Sequence, residues 1–131
     1  MAIRPVSLTT TSSKYAATLK VGPHTFTADE AEDGGEDKGP APFELLGSAL
    51  AACTSMTLRG YAQRKSWPLE RVDVTVEQEK TPEAHKLKRT VTLVGPLDAE
   101  QKQRLLEIAN KCPVHKALVG KVEISTALTS T

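Results

Sequence analysis

The run from Leu45 to Leu58, LLGSALAACTSMTL, constrains the fold more than any other feature: it carries no charge and has Cys53 near its middle. It sits inside a longer block, Gly39 to Trp67, which opens with Pro40 and Pro42 and stops before Pro68. Proline is tolerated in the first turn of a helix and disfavours helical geometry in the residue before it. The block therefore predicts one long helix, entered at Pro42 and ending near Ser66. At 3.6 residues per turn, Leu46, Ala49, Leu50, Met56, Thr57 and Gly60 share the face of Cys53. Glu44, Ser48, Ala52, Ser55 and Arg59 fall on the opposite face. A helix that is small or apolar on nearly every side is expected to be surrounded by protein. The uncharged run is shorter than the ~18 apolar residues a membrane span needs, so it reads as a core helix that holds a thiol in place.

The rest of the chain alternates between strand and helix signals. Residues 1–12 are rich in Ser and Thr and read as a flexible lead-in. Tyr15, Ala17, Leu19 and Val21 alternate with polar neighbours, and Gly22-Pro23 turns the chain back into a strand over His24 to Ala28. The acidic, glycine-rich stretch 29–39 reads as a solvated loop, since it lacks the ordered ligand positions of an EF-hand. After the central helix, Leu69 to Lys80 and Lys86 to Val94 alternate again and form a second hairpin. In the latter, Val91 and Leu93 face inward and Lys88, Thr90 and Thr92 outward. Asp98 followed by Gln101 is a capping-box start for another helix, with Leu105, Ile108, Ala109 and Cys112 along its inward stripe. A short helical turn follows from Pro113 to Leu118, closed by Gly120, and Val122 to Leu128 alternates as a last strand. The order β-β-α-β-β-α-(α)-β predicts an α+β fold in a single domain over residues 1–131.

Charge and cysteine usage narrow the function classes. A net charge of +1 and few aromatic residues leave no footprint for nucleic acid. The N-terminus has no basic segment followed by an apolar run, so the expected compartment is the cytoplasm. A structural disulfide is disfavoured there, and the two cysteines need another account. With no paired ligand spacing among the two cysteines and three histidines, no zinc site is expected. Cys53, in an apolar helix interior, has its proton held on sulfur by desolvation and has the setting of a small buried hydrophobe. Cys112 precedes a proline that opens a helix, where partial positive charge favours thiolate, and His115 lies three residues on. On these grounds a redox pair and ordinary packing both remain open.

The block GPAPFELLGSALAACTSMTL, followed by NKCPVHKAL, resembles the OsmC/Ohr family of thiol-dependent hydroperoxide reductases. The combination of Pro-x-Glu-Leu-Leu, Ala-Ala-Cys in mid-helix and a distal Cys-Pro is specific, and the order of elements agrees over nearly the full chain. The resemblance implies an intertwined α+β homodimer with long central helices and a hydrophobic pocket, here Phe43, Leu46, Leu50 and Met56. It gives Cys53 the role of peroxidatic thiol and Cys112 that of resolving thiol, with an external dithiol as reductant and no metal or organic cofactor. The implied substrate is an organic hydroperoxide, with hydrogen peroxide as a further candidate.

This chain departs from the peroxidase branches at the helix start. There a glutamate follows the proline directly and pairs with an arginine from the N-terminal hairpin. Here Phe43 takes that place and Glu44, the displaced candidate, comes one residue later, about 100° further round the helix. No arginine lies between Arg4 and Arg59, which leaves His24 and Lys38 as cationic candidates in that region. Arg59 is on the helix face away from Cys53 and is expected to reach only a partner's site. These departures place the chain nearer the broad OsmC-like branch and predict a Cys53 pKa near the free value and slow turnover. The competing reading is a dimeric OsmC-like protein that binds a small hydrophobic ligand or senses redox state with little peroxidase turnover.

Overall fold

A computed structural model describes residues 3–129 as β1 (Ser7–Thr10), β2 (Ala17–Val21), β3 (His24–Ala28), α1 (Pro42–Lys65), β4 (Arg71–Lys80), β5 (His85–Val94), α2 (Ala99–Ala109) and α3 (Pro113–Val119). The α+β class and both hairpins are as expected, and two segments differ. Ser7–Thr10, within the stretch read as a lead-in, is a strand that pairs antiparallel with β2, Leu8 opposite Leu19 and Thr10 opposite Ala17. Its threonines are β-branched and suit a pleated edge. The lead-in's residues 1 and 2, like 130 and 131, lie outside the described residues. Val122 to Leu128, the expected last strand, has no regular structure, and Ile124 and Leu128 are 86% and 99% exposed. A strand exists through its ladder to a neighbour, and this segment pairs with none of the described strands.

The chain divides into two compact units between Leu46 and Gly47. The N-terminal unit carries the sheet β1-β2-β3. Val21 pairs with His24 across the two-residue turn, and Gly22 has φ +54°. Glycine at the first central position with proline at the second fits a type II′ hairpin turn, since proline cannot take positive φ. The acidic loop is organised by Asp29, which is only 3% exposed. Its carboxylate accepts the N–H groups of Glu30 at 2.7 Å, Lys38 at 3.1 Å and Glu36 at 3.3 Å. The Glu30 N–H foremost, helped by the other two and opposed by desolvation, holds this carboxyl below its ordinary range. The unit ends in the first turn of α1, where Glu44 Oε1 accepts the Ala41 N–H at 2.8 Å and so caps the helix.

The C-terminal unit holds the remainder of α1, the β4–β5 hairpin, α2 and α3. The helix buries one stripe, Gly47, Leu50, Thr54, Leu58 and Ala62, at the three- and four-residue spacing of a single face. Within one chain the other faces of α1 are less covered, and Met56, named above as a pocket residue, is 72% exposed. The helix ends at Lys65 because Ser66 takes φ +56°. Trp67 N–H then bonds Ala62 O at 2.9 Å and Ser66 N–H bonds Gln63 O at 3.1 Å, the two reversed bonds of a Schellman cap. In β5 the odd-numbered residues from His85 to Leu93 are half-buried and the even-numbered ones from Lys86 to Thr92 exposed. Asp98 Oδ1 accepts Gln101 N–H at 2.7 Å and Gln101 Oε1 accepts Asp98 N–H at 3.0 Å, completing the capping box of α2. Leu58, Ala62, Leu69, Leu97, Leu105, Ile108 and Ala109 form the core of this unit, flanked by Trp67, Val72, Val91 and Leu93.

Candidate functional site: a thiol pair beside an inward arginine

Cys53 and Cys112, both free thiols, come close enough in the C-terminal unit for each to shift the other's pKa. Each reaches the site for a local reason. Cys53 stands beside the buried stripe of α1, half-exposed, with Thr57 Oγ1 one turn on at 4.0 Å. Cys112 continues the inward stripe of α2 and is fully buried. Pro113 stops it from extending that helix, so Cys112 has extended geometry and becomes the cap of α3, its Sγ accepting the His115 N–H at 3.3 Å.

The two sulfurs differ in how they hold a proton. Burial, joined by the neighbouring Cys112, pushes the Cys53 thiol above its ordinary value despite the Val114 N–H and the Thr57 hydroxyl. Burial also pushes Cys112 up, but hydrogen bonds from His115 N–H, Cys53, Thr54 and Val114 N–H outweigh it, and its pKa lies below the ordinary value. Cys112 is thus the more acidic member of the two.

A cation of β5 is hydrogen-bonded to neighbours of both cysteines. Arg89, at an inward position of β5, donates Nη1–H to Thr54 Oγ1 at 3.0 Å. Its Nη2 donates to Asn110 Oδ1 at 3.0 Å and to His115 Nδ1 at 3.1 Å. A guanidinium has no acceptor, so His115 Nδ1 offers its lone pair and the ring proton belongs on Nε2. His115 also meets Cys112 through its backbone N–H. Arg89 and His115 also border a cavity of about 420 Å³ whose walls include Leu50, Leu87, Val91 and Leu106.

The other expected site residues are distributed differently. Leu50 lines this cavity, whereas Met56 is exposed; Phe43 and Leu46 lie in the first turns of α1, within the N-terminal unit. The Glu44 carboxylate is engaged in capping its own helix. Arg59 donates Nη1–H to Leu69 O at 2.8 Å and Glu70 O at 3.0 Å, and Lys38 pairs with Glu36 at 3.5 Å. Arg89, Thr54 and Asn110 escaped the sequence reading. The alternation of β5 held the signal for Arg89, because a strand that turns Val91 and Leu93 inward turns residue 89 inward too.

A family model described as OsmC-like protein matches residues 35–127. A comparison with curated protein sequences finds no match. Among solved structures, an OsmC-like protein from Mycoplasma pneumoniae is 19% identical, with a TM-score of 0.76 over 91% of this chain and 89% of that one. An organic hydroperoxide resistance protein OsmC from Legionella pneumophila is 23% identical, with a TM-score of 0.66 over 92% and 91%. The organic hydroperoxide resistance protein OhrB of Bacillus subtilis is 20% identical, with a TM-score of 0.63 over 93% and 94%. At such identities the likeness is one of fold, and a fold hosts many chemistries. The family model itself spans the end of the acidic loop, α1 and both cysteines, and the chain belongs to the OsmC-like family.

Proposed function

We propose that the chain is a thiol-dependent peroxidase that reduces organic hydroperoxides through Cys53 and Cys112. The observation that supports this reading is a half-exposed thiol set near a fully buried one, close enough for each to shift the other's pKa, with the buried sulfur accepting the His115 N–H. Cys53 attacks the terminal peroxide oxygen; the O–O bond breaks, the alcohol leaves with a proton, and Cys53 becomes a sulfenic acid. Cys112 then attacks that sulfur, the S–O bond breaks, water leaves and a disulfide remains, which an external dithiol reduces. In the order of events, the exposed sulfur meets peroxide and the buried one resolves it. The active form is a homodimer, whose second copy covers the exposed apolar face of α1.

One equivalent of an organic hydroperoxide added to reduced protein is expected to yield a Cys53–Cys112 disulfide, read by mass spectrometry and loss of free thiol. Protein that keeps both thiols through this treatment is not a peroxidase of this kind. The apolar cavity beside Leu50 and Leu87 favours the second reading, a protein that binds a small hydrophobic ligand. Saturable ligand binding without disulfide formation would establish it.

A further inference from the structure

The cavity of about 420 Å³ in the C-terminal unit has an apolar part, with Leu87, Val91, Leu106 and Leu118, and a polar part, with Arg89, Asn110 and His115. The strand brings the two together: β5 turns its odd-numbered residues inward, so Leu87, Arg89 and Val91 follow one another along one wall. Neither cysteine belongs to the walls, and no aspartate or glutamate does. The permanent charge on the cavity is therefore the guanidinium of Arg89.

Arg89 is half-buried, and removing a cation from water is costly unless an opposite charge meets it. Its partners within the chain do not supply one. Thr54 Oγ1 at 3.0 Å, Asn110 Oδ1 at 3.0 Å and His115 Nδ1 at 3.1 Å are neutral acceptors. Among the described residues Arg89 takes part in no ion pair. Its bonds use one N–H on Nη1 and two on Nη2, and no described residue takes the Nε–H or the second Nη1–H. The three acceptors stand on α1, at the end of α2 and on α3, so the guanidinium is held in place before any ligand arrives. A head group that binds it is spared the cost of ordering the side chain.

We propose that this cavity is a binding site for a small amphiphile with a carboxylate head, which pairs with Arg89 while its apolar chain lies against Leu87, Val91, Leu106 and Leu118. The proposal deepens the ligand-binding reading by naming the ligand class, and it uses no chemistry of the thiols. A carboxylate is an acceptor only, and its charge-assisted bonds to a guanidinium are about twice as strong as neutral ones. An amine head would meet like charge, and an alcohol would leave the guanidinium without a counter-charge. A glutamate side chain from a second copy offers the same head, but its short stem would leave most of the apolar wall bare. The volume falls within the range of sites that take small molecules. Leu106 and Val119, wall residues that are themselves exposed, mark the side by which an apolar chain enters.

The test is calorimetric titration of the reduced protein with octanoate, 1-octanol and octylamine, which share a chain and differ in the head. Octanoate is expected to bind saturably at one site per chain and about tenfold more tightly than octanol, the factor one charge-assisted bond supplies, with octylamine weakest. Arg89→Met removes the charge and should lower octanoate affinity about tenfold while octanol binds as before. Arg89→Lys should recover part of the loss, since it keeps the charge and loses the fork. In NMR spectra, octanoate should shift the Asn110 side-chain amide together with the Leu87 and Leu106 methyl signals. Should Arg89→Met not fold, the head-group comparison and these shifts decide alone. Octanoate binding no tighter than octanol, or unaffected in folded Arg89→Met, overturns the carboxylate head, while the octanol site keeps the ligand-binding reading. Shifts confined to residues outside the walls overturn the placement of the site. If neither octanoate nor octanol binds, the proposal and the ligand-binding reading fall together.

Discussion

Arg89 Nη1 lies 3.0 Å from Thr54 Oγ1, which ties an inward cation of β5 to the residue next to Cys53 in α1. The same guanidinium bonds Asn110 and His115, so one side chain joins the central helix to the segment that carries Cys112. The strand thereby supports a site whose sulfurs come from helices. In the family pattern that the resemblance implies, a cation from the N-terminal hairpin serves the first thiol. The cation seen here comes from β5 and bonds neighbours of both thiols.

The two cysteines should fail in different ways. Cys53→Ser is expected to abolish peroxide consumption. Cys112→Ser should permit one turnover and leave Cys53 as a sulfenic acid, trapped by a sulfenate-specific reagent. Normal cycling of Cys112→Ser with a monothiol would remove the resolving role from Cys112, and equal activity in both variants would remove the peroxidase reading.

The pH dependence of Cys53 follows from its environment. Burial foremost raises its pKa, so the reactive thiolate is scarce at neutral pH and grows as pH rises through and beyond the ordinary thiol value. In a Cys112→Ser background the alkylation rate of Cys53 is expected to climb without a plateau up to about pH 8.5, the free-thiol value. Turnover with an organic hydroperoxide should be slow at pH 7 and rise alongside it. A plateau below neutrality with fast turnover would show that another group activates this thiol.

Much of this was legible in the sequence where one local signal decides the outcome. Pro42 and Pro68 bracketed α1, Asp98 and Gln101 marked the cap of α2, and Cys112-Pro113 marked the start of α3, because capping and proline geometry act over a few residues. The short edge strand Ser7–Thr10 was missed because a polar, fully exposed segment lacks the alternation that reveals a buried face. Val122 to Leu128 misled in the opposite sense, since alternation is present but a ladder partner is not supplied within the described residues. At the site, both thiols could be named but not their cation. Arg89 is 35 residues from Thr54, and only the pairing of elements in space brings them together.

Core packing in the C-terminal unit is testable at Leu58 and Leu105, both with no exposed surface and in one cluster. Truncating either to alanine removes the branched end of the side chain and leaves a cavity, at a cost of about 2–5 kcal/mol. Urea unfolding should show a lower midpoint with little change in slope. A loss well under 1 kcal/mol, relative to the ~2 kcal/mol lower bound for such sites, would mean that the core is not organised around these leucines.

Asp29 gives the acidic loop a pH dependence of definite sign. Its carboxyl pKa is lowered in the folded chain, so its contribution is present above the unfolded value of about 3.9 and is lost as pH falls through the folded one. Amide NMR signals of Glu30, Glu36 and Lys38 should therefore hold steady from pH 7 to about 4 and move together only below that. Asp29→Ala should displace these signals already at pH 7 and remove the acid transition. Unchanged positions in Asp29→Ala would show that the loop is held by its backbone bonds alone, such as Asp37 N–H to Glu30 O at 3.0 Å.

The last prediction concerns the apolar surface that the single chain leaves open. Met56 on α1 is 72% exposed, and Ile124 and Leu128 in the final segment are 86% and 99% exposed. Single exposed apolar residues are ordinary on a protein surface, but these lie on the face of the uncharged helix and in a segment with the alternation of a strand. A second copy would cover the first and offer the second a ladder. Light scattering is therefore expected to give twice the 14.1 kDa of one chain at micromolar concentration. Met56→Glu places a charge on the surface to be buried and should shift the protein toward monomer. Ile124→Pro removes a backbone donor from the same interface and should weaken it, if the segment pairs as a strand. A stable, folded monomer in the unsubstituted chain would rule out the dimer, and a dimer indifferent to both substitutions would place its interface elsewhere.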